Sequence, residues 1–367
     1  MLASRQRIAG AHRLMQKRTR SRLLIVLLFS CLGLTSGCTS LAYYQQAVAG
    51  QIALLTGSTP VDELLADVET DAALRTQLVK AQAILAFASD HGLPVGDSYD
   101  GYVDLKRSFV VWNVFAAEPF GVSLLRHCFP VAGCVGYKGF FAEADAKAFA
   151  AQLQASGYDV YVGGVAAYST LGWFDDPLLN TFLYRDDVRL AGVLFHELAH
   201  KVLYIEGDTV FNESFATAVE RHLLRLWLEN NGQETVFTAY LASAARRAEV
   251  IALILESRDA LAVVYKSDLT EPDKAHRKVQ LISELQASYR QRQKQWGSAT
   301  EFASWIEQDL NNAHLAAIGA YQSQVAGFSA MLRASEDLES FYIEVKKLAV
   351  EPKPVRDAVL LVNTNSG

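Results

Sequence analysis

Apolar residues recur at intervals of three and four along most of the chain, a pattern that is typical of amphipathic helices. Two such stretches follow the N-terminal segment, at 41–55 and 61–88. From Asp187 onward the periodicity is almost continuous and predicts the following helices: 187–205, 211–230, 234–290, 298–312 and 315–347. Because proline cannot continue a helix interior, Pro272 predicts a break in the longest of them.

Short segments rich in β-branched and aromatic residues lie between these helical regions. They predict strands at 102–105, 109–116 and 159–167, with a glycine-rich loop at 133–141 and a helix at 142–156. The overall pattern predicts a predominantly α-helical α+β fold with a small β-sheet and long C-terminal helices. We expect one domain over 38–360, with the sheet within about 95–170 and a helical part within about 187–350. The chain ends in the polar residues 363–367, and we expect a flexible tail over 361–367.

The N-terminus has the layout of a targeting segment. Seven basic residues and no acidic ones precede an apolar run from Leu23 to Leu34, which is too short to cross a membrane comfortably. Small residues then lead to Cys38, and this order resembles a bacterial lipobox. The sequence predicts a lipoprotein signal peptide at 1–37 and lipidation of Cys38; an ordinary secretory signal or an uncleaved anchor is the alternative. Either Met1 or Met15 can be the start.

Removal of that segment changes the net charge. Taking seven basic residues from 34 leaves 27 against 40 acidic residues, a net charge of −13. This argues against nucleic acid as a partner and weakly favours substrates with a free or basic amino end. A lipidated protein of this kind is expected in the envelope of a Gram-negative bacterium, on the periplasmic side of the outer membrane. The oligomeric state is left open.

Four cysteines are present; Cys31 lies in the predicted signal peptide and Cys38 is the residue expected to carry lipid. Cys128 and Cys134 remain, close together in Cys-Phe-Pro-Val-Ala-Gly-Cys. In an oxidising compartment a small loop disulfide is the expected state, with two free thiols as the alternative. A zinc knuckle is disfavoured because no second pair completes four ligands.

The strongest chemical signal is Phe-His-Glu-Leu-Ala-His at 195–200. Histidines four positions apart lie on one face of a helix, so the imidazoles of His196 and His200 can share one ion. Glu197 projects toward the same cavity, where it can accept a proton from water. Zinc suits such a site because it is redox-inert and accepts nitrogen and oxygen ligands. The sequence therefore predicts one Zn²⁺ ion, with Glu197 as general base.

A third ligand is expected from the helix that follows. Gly207 ends the first helix and the second begins near Asn212, so a short turn folds Glu213 back over the histidines. A catalytic zinc takes three protein ligands and keeps one position open, and two histidines with one glutamate supply that set. Glu206 and Asp208 are rival third ligands, although they lie where a turn is needed.

These motifs bring a resemblance to known peptidases. The residues 212–220, Asn-Glu-Ser-Phe-Ala-Thr-Ala-Val-Glu, look like the third-ligand helix of gluzincin metallopeptidases. Four stretches together resemble a family of bacterial predicted aminopeptidase lipoproteins: 43–47 with 50–51, 168–179, 196–200 and 311–313. The resemblance implies a zincin-like core, zinc ligands at His196, His200 and Glu213, and a base at Glu197. The chain departs from M1-type enzymes in its short spacing between the motifs and in lacking a visible Gly-x-Met-x-Asn motif.

Further residues are candidates for supporting roles. Glu220 could hydrogen-bond a ligand histidine or be a solvated carboxylate. Asp175 or Asp176 could hold a substrate amine, or the Asp-Asp-Pro sequence could be a turn. The strand near 159–167 could pair with an extended substrate or be an ordinary buried strand. A donor to the reaction's oxyanion is expected from one of these side chains: Tyr168, Tyr204, Tyr240, Tyr321 and His314.

The function expected from the sequence is hydrolysis of peptide bonds in the cell envelope by a zinc-dependent peptidase, with an aminopeptidase favoured. One alternative is an inactive zinc-binding envelope lipoprotein that acts as a scaffold or chaperone. Another is a metal-free helical lipoprotein in which the motif occurs by chance. Arg246 and Arg247 lie in a long helix beside acidic residues and are expected on a solvated face.

Overall fold

The computed structural model describes residues 43–129, 133–167, 170, 175–297, 300, 302–318 and 324–362. It is predominantly helical with small sheets of two or three strands, which confirms the predicted α+β class. The chain divides into two compact units, 1–53 and 54–367, and the described part of the shorter unit is helical. Cys38 lies outside the described residues. No helix within the described part of the chain is both long and apolar enough to cross a membrane.

The first half of the chain alternates helices with short strands. Helix α1 covers residues 43–56. The helices that follow it up to the catalytic motif are α2 (Val61–Ala66), α3 (Ala72–Asp90), α4 (Glu143–Ala155) and α5 (Asn180–Leu183). The strands are β1 (Thr59–Pro60), β2 (Gly101–Val103), β3 (Val111–Ala117), β4 (His127–Phe129), β5 (Gly133–Val135), β6 (Lys138–Phe140), β7 (Asp159–Val165) and β8 (Leu178–Leu179). The segment 133–141, predicted as a loop, therefore contains two strands.

The strands form three small sheets. In the first, β2 pairs antiparallel with β1 and parallel with β8. In the second, β3 lies between β6 and β7 and is antiparallel to both, so β7 is at the edge of its sheet. The third is the hairpin of β4 and β5, in which Cys128 faces Cys134 and the two are joined by a disulfide.

The second half of the described chain is helical. Its elements are α6 (Asp187–Val202), α7 (Thr209–Asn230), α8 (Glu234–Lys266), α9 (Glu271–Trp296), α10 (Ala303–Ile306), α11 (Asn312–Ile318), α12 (Val325–Ala334), α13 (Leu338–Ala349) and α14 (Lys353–Val362). The predicted break near Pro272 separates α8 from α9, and the side chain of Thr270 caps α9 by accepting a hydrogen bond from Asp273 N.

The prediction of one helix over 315–347 is wrong, because the structure divides this range among α11, α12 and α13. The backbone becomes extended at Ser335, and the carboxylate of Asp337 accepts a hydrogen bond from Ser340 N at 2.8 Å. This cap starts a new helix at a point where the apolar periodicity continues undisturbed. At the C-terminus, α14 ends at Val362, two residues into the segment predicted as a tail.

The main core surrounds α6 and α7. Leu190, Leu194, Phe195 and Leu198 of α6 are fully buried, and Phe211, Phe215, Val219 and Leu223 of α7 are buried to the same degree. Burial of side chains of this size favours folding by roughly 1.5 to 3 kcal/mol each. A second cluster joins α8 to α9 through Val250, Ile254, Leu281 and Leu285. The apolar face of α6 thus determines the direction in which its polar residues point.

Candidate metal centre

Both histidines lie on helix α6, whose N-terminus is capped by a side chain. Helix α6 begins at a cap in which Asp186 Oδ1 accepts a hydrogen bond from Arg189 N at 3.0 Å. His196 and His200 lie one turn apart, with ring centroids separated by 5.0 Å and ring planes at 82°. His200 is buried and His196 is half-buried. Both imidazoles therefore face away from the leucines that hold α6 in the core.

A tight turn over residues 203–208 returns the chain to the histidines. Gly207 has a φ of +76°, a conformation that residues with a side chain rarely adopt. The side chain of Asn212 holds the turn from inside α7: its Nδ2 donates to Ile205 O, and its Oδ1 accepts from Ile205 N, each at 2.8 Å. Asn212 is 2% exposed. This pair of bonds fixes the start of α7 and hence the position of Glu213.

Three side chains converge where α6 and α7 meet. Glu213 Oε2 is 3.3 Å from His196 Nε2, and Glu213 Oε1 is 3.7 Å from His200 Nε2. One ligand atom from each residue lies within 4.8 Å of the others. Among the described residues, these three side chains form a group that could hold a metal ion. Ligands 2.0 to 2.1 Å from a tetrahedral ion lie about 3.3 Å from one another. The spacing therefore fits zinc.

The two rival third ligands are placed elsewhere. Asp208 is buried and caps α7, and its carboxylate forms ion pairs with Arg356 at 2.7 Å and Lys353 at 3.2 Å. Glu206 is exposed on the turn and does not belong to the cluster. The structure thus brings Glu213, rather than either of these acids, to the histidines.

The carboxylate of Glu220 lies behind His196. Its Oε2 is 3.1 Å from His196 Nδ1, and its Oε1 accepts a hydrogen bond from Tyr240 OH at 3.2 Å. A Cβ atom on Gly192 would lie 3.2 Å from Glu220 Oε1, so the glycine leaves room for this carboxylate. The contact fixes the orientation of the His196 ring. The buried Nδ1 of His200, in contrast, has no hydrogen-bond partner among the described residues.

The protonation of the two imidazoles differs. Burial alone would lower the pKa of His196, but hydrogen bonds to Glu213 and Glu220 raise it well above its usual value. Burial and the charge on His196 lower the pKa of His200 to about 4, so this ring is neutral near pH 7 and its nitrogen can bind a metal. A divalent cation between the rings would replace the proton that His196 otherwise carries.

Glu197 lies beside the cluster and lines the same cavity. Its pKa is raised to about 7, chiefly because burial removes water from the carboxylate and further because the charge of Glu213 is near; the charge on His196 opposes the rise. Burial raises the pKa of Tyr99, which has a φ of +70°, and the nearby charge of Glu197 raises that pKa further. Sequence analysis did not identify Tyr99, and its spacing from the motif gives no signal.

The other predicted site residues are scattered. Tyr204 is half-buried with its ring centroid 6.5 Å from that of His200, and burial raises its pKa, so the phenol stays protonated. Tyr240 is bonded to Glu220 as described. His314 is buried against Tyr161, away from the cluster. Tyr168 and Tyr321 lie outside the described residues.

The two aspartates differ in their surroundings. Asp176 is buried and its carboxylate accepts a hydrogen bond from Thr170 N at 2.8 Å, whereas Asp175 is exposed. The charge of Asp176 contributes to the raised pKa of Glu197, so this carboxylate is near the site. Neither aspartate is among the described residues that line the cavity at the cluster.

The fold and the site together define the class: a mainly helical α+β protein with a His-Glu-x-x-His helix and a following-helix glutamate that could hold one metal ion. A family model described as "Putative aminopeptidase" matches residues 42–360. Because this match covers most of the 367-residue chain, the protein belongs to that family. No curated protein and no solved structure matches the chain.

Proposed function

We propose that the protein is a zinc-dependent metallopeptidase of the cell envelope, acting as an aminopeptidase. The observation that carries the proposal is the convergence of His196, His200 and Glu213 beside Glu197, within a chain that belongs to an aminopeptidase family. His196, His200 and Glu213 would hold the ion. When bound, zinc would polarise the peptide carbonyl and make water more acidic.

The residues of the chain account for the remaining chemistry. Glu197 would accept a proton from the attacking water at its carboxylate and transfer it to the amine that leaves. A pKa of about 7 suits both steps, because the group is divided between its two protonation states near neutral pH. Tyr204, protonated and close to His200, would donate a hydrogen bond to the oxygen that becomes negative.

Cleavage of a peptide library tests this proposal. The purified full-length protein is incubated with free and N-acetylated peptides, and the products are identified by mass spectrometry. We expect removal of N-terminal residues from free peptides only, and loss of at least a hundredfold in rate for Glu197→Gln with zinc content unchanged. Glu229→Gln, an exposed carboxylate on α7, is the matched control and should keep full activity. Unchanged cleavage by Glu197→Gln would refute the mechanism, and absence of cleavage by any form would favour a zinc-binding scaffold.

We also propose that the protein is attached to the membrane through lipid on Cys38, with residues 1–37 removed. The support is the basic and apolar order of the N-terminal segment that ends at this cysteine. Incorporation of labelled fatty acid during expression, compared between the wild type and Cys38→Ser, tests it. Equal labelling of both proteins would refute it.

A further inference from the structure

The metal cluster opens into a cavity of about 430 Å³ between α6, α7 and α8. His196, Glu197 and Glu213 lie in its wall. Four arginines line the same cavity: Arg185, Arg189, Arg221 and Arg247. Guanidinium groups stay charged at any physiological pH, so this lining is rich in permanent positive charge. We call the part lined by these four residues the arginine end.

The carboxylates in the described lining are already engaged. Glu213 faces both imidazoles, and Glu220 is bonded to His196 and Tyr240. Glu197 is assigned to proton transfer. Among the described lining residues, none of the acids is therefore left to bind a substrate ammonium group, while a bound cation would add further positive charge.

Arg189 and Arg221 have N–H donors beyond the contacts they make with described residues. Arg189 Nε is 3.4 Å from Asp186 in an exposed pair, and a guanidinium has five N–H donors in total. Arg221 bonds to the phenol of Tyr240, and its Nε makes no hydrogen bond to a described residue. Guanidinium groups bind carboxylates through two parallel hydrogen bonds, which gives both affinity and orientation.

The spacing along α6 gives the distance of Arg189 from the cluster. Arg189 precedes His196 by seven residues on α6. Seven residues correspond to two helical turns, or about 10 Å along the axis. An extended peptide covers about 10 Å with three residues. A substrate bound across the cluster would therefore reach Arg189 within about three residues.

We propose that the arginine end binds a substrate carboxylate, so that preferred substrates are peptides with a carboxylate within about three residues of the scissile bond. This inference rests on the proposed peptidase function and specifies its substrate class. The carboxylate comes either from an acidic side chain or from a free C-terminus. The preference is opposite to the one suggested by the net charge of −13, because the local lining rather than the whole surface contacts the substrate.

The test uses four peptides of one sequence. They combine Glu or Gln at the third residue with a free or amidated C-terminus, and kcat/KM is measured for each with the full-length protein. We expect the peptide with the recognised carboxylate to be cleaved about tenfold to a hundredfold more efficiently, mainly through a lower KM. The pair that shows the difference identifies the source of the carboxylate. Equal rates in both pairs would overturn the inference.

Arg189→Gln and Arg247→Gln should each reduce this ratio toward one, because each lowers kcat/KM for the recognised peptide more than for the neutral peptide. Arg246→Gln is the matched control, since it neighbours Arg247 on α8 and is not among the described lining residues. Equal loss for charged and neutral peptides would indicate a structural role and overturn the inference. Binding of the four peptides to Glu197→Gln is measured in parallel. If no peptide is cleaved, the proposed peptidase function fails, and the binding ratio alone then decides for or against carboxylate recognition.

Discussion

The side chain of Asn212 is expected to link folding of the interhelical turn to metal affinity. Asn212→Ala removes two hydrogen bonds of 2.8 Å to the backbone of Ile205, in a residue that is 2% exposed. A buried hydrogen bond of this kind contributes about 0.5 to 1.5 kcal/mol net, so the pair contributes about 2 kcal/mol. The free energy of unfolding should fall by this amount. Because Glu213 is the next residue, its carboxylate should also lose its fixed position.

Denaturant unfolding and zinc titration against a competing chelator measure the two effects on the same protein. We expect zinc affinity to fall at least tenfold in Asn212→Ala, the range seen when groups that orient metal ligands are removed. Asn231→Ala is the control at the other end of α7, where an exposed side chain donates one bond of 2.7 Å to Trp227 O. It should cost less than about 1 kcal/mol and leave zinc affinity unchanged. If both variants bind zinc as tightly as the wild type, the turn does not position Glu213.

Three further outcomes are expected. Zinc at a hundred times its Kd should stabilise the folded protein by about 2.7 kcal/mol, measured as a higher Tm that EDTA abolishes; a Tm that does not respond to zinc would count against the site. Glu220→Gln should weaken zinc binding about tenfold to a hundredfold in a chelator competition, because the ring of His196 loses its charged acceptor, whereas Glu229→Gln should not. Burial raises the pKa of Asp208, but the hydrogen bond with Arg356 and the further contacts of this carboxylate together outweigh burial, and the net shift is downward. The ionised carboxylate therefore stabilises the fold fully above the unfolded-state pKa of about 4, and this stabilisation is lost as the pH falls through the lower folded-state pKa. Urea unfolding should therefore find Asp208→Asn less stable by about 3 kcal/mol at pH 7 and similar to the wild type at low pH; a difference independent of pH would contradict this.

Local signals predicted much of the fold. Apolar periodicity identified α6 and α7 to within three residues, and Pro272 predicted the break between α8 and α9. The apolar periodicity gave a wrong prediction over 315–347, where the cap at Asp337 starts a new helix although the pattern continues. Caps act through single hydrogen bonds, and these are weak compared with the burial that creates the periodicity. The strands in 133–141 were missed because they are short and pair with β3 and β4, which lie outside this segment.

Some residues of the candidate site could be predicted from the sequence, and others could not. His196, Glu197 and His200 could be identified from sequence because a helix places residues four apart on one face whatever surrounds it. Glu213 followed from a short turn between helices. The arginine end could not be predicted, since its residues come from the α5–α6 connection, α6, α7 and α8. Arg247 is exposed, as expected for a solvated face, but it also lines the cavity. Only packing of three helices brings those charges into one cavity.

The sequence by itself thus determined the elements and the helical face that could carry a metal, because those depend on neighbours three or four residues away. The sequence favoured Glu213 as third ligand and left Glu206 and Asp208 as rivals. Tertiary structure decided among them, since Asp208 is paired with Arg356 and Glu213 faces both imidazoles. It also decided the charge of the cavity wall. Both depend on contacts between residues far apart in the chain, which form when the apolar faces of α6 and α7 are buried together.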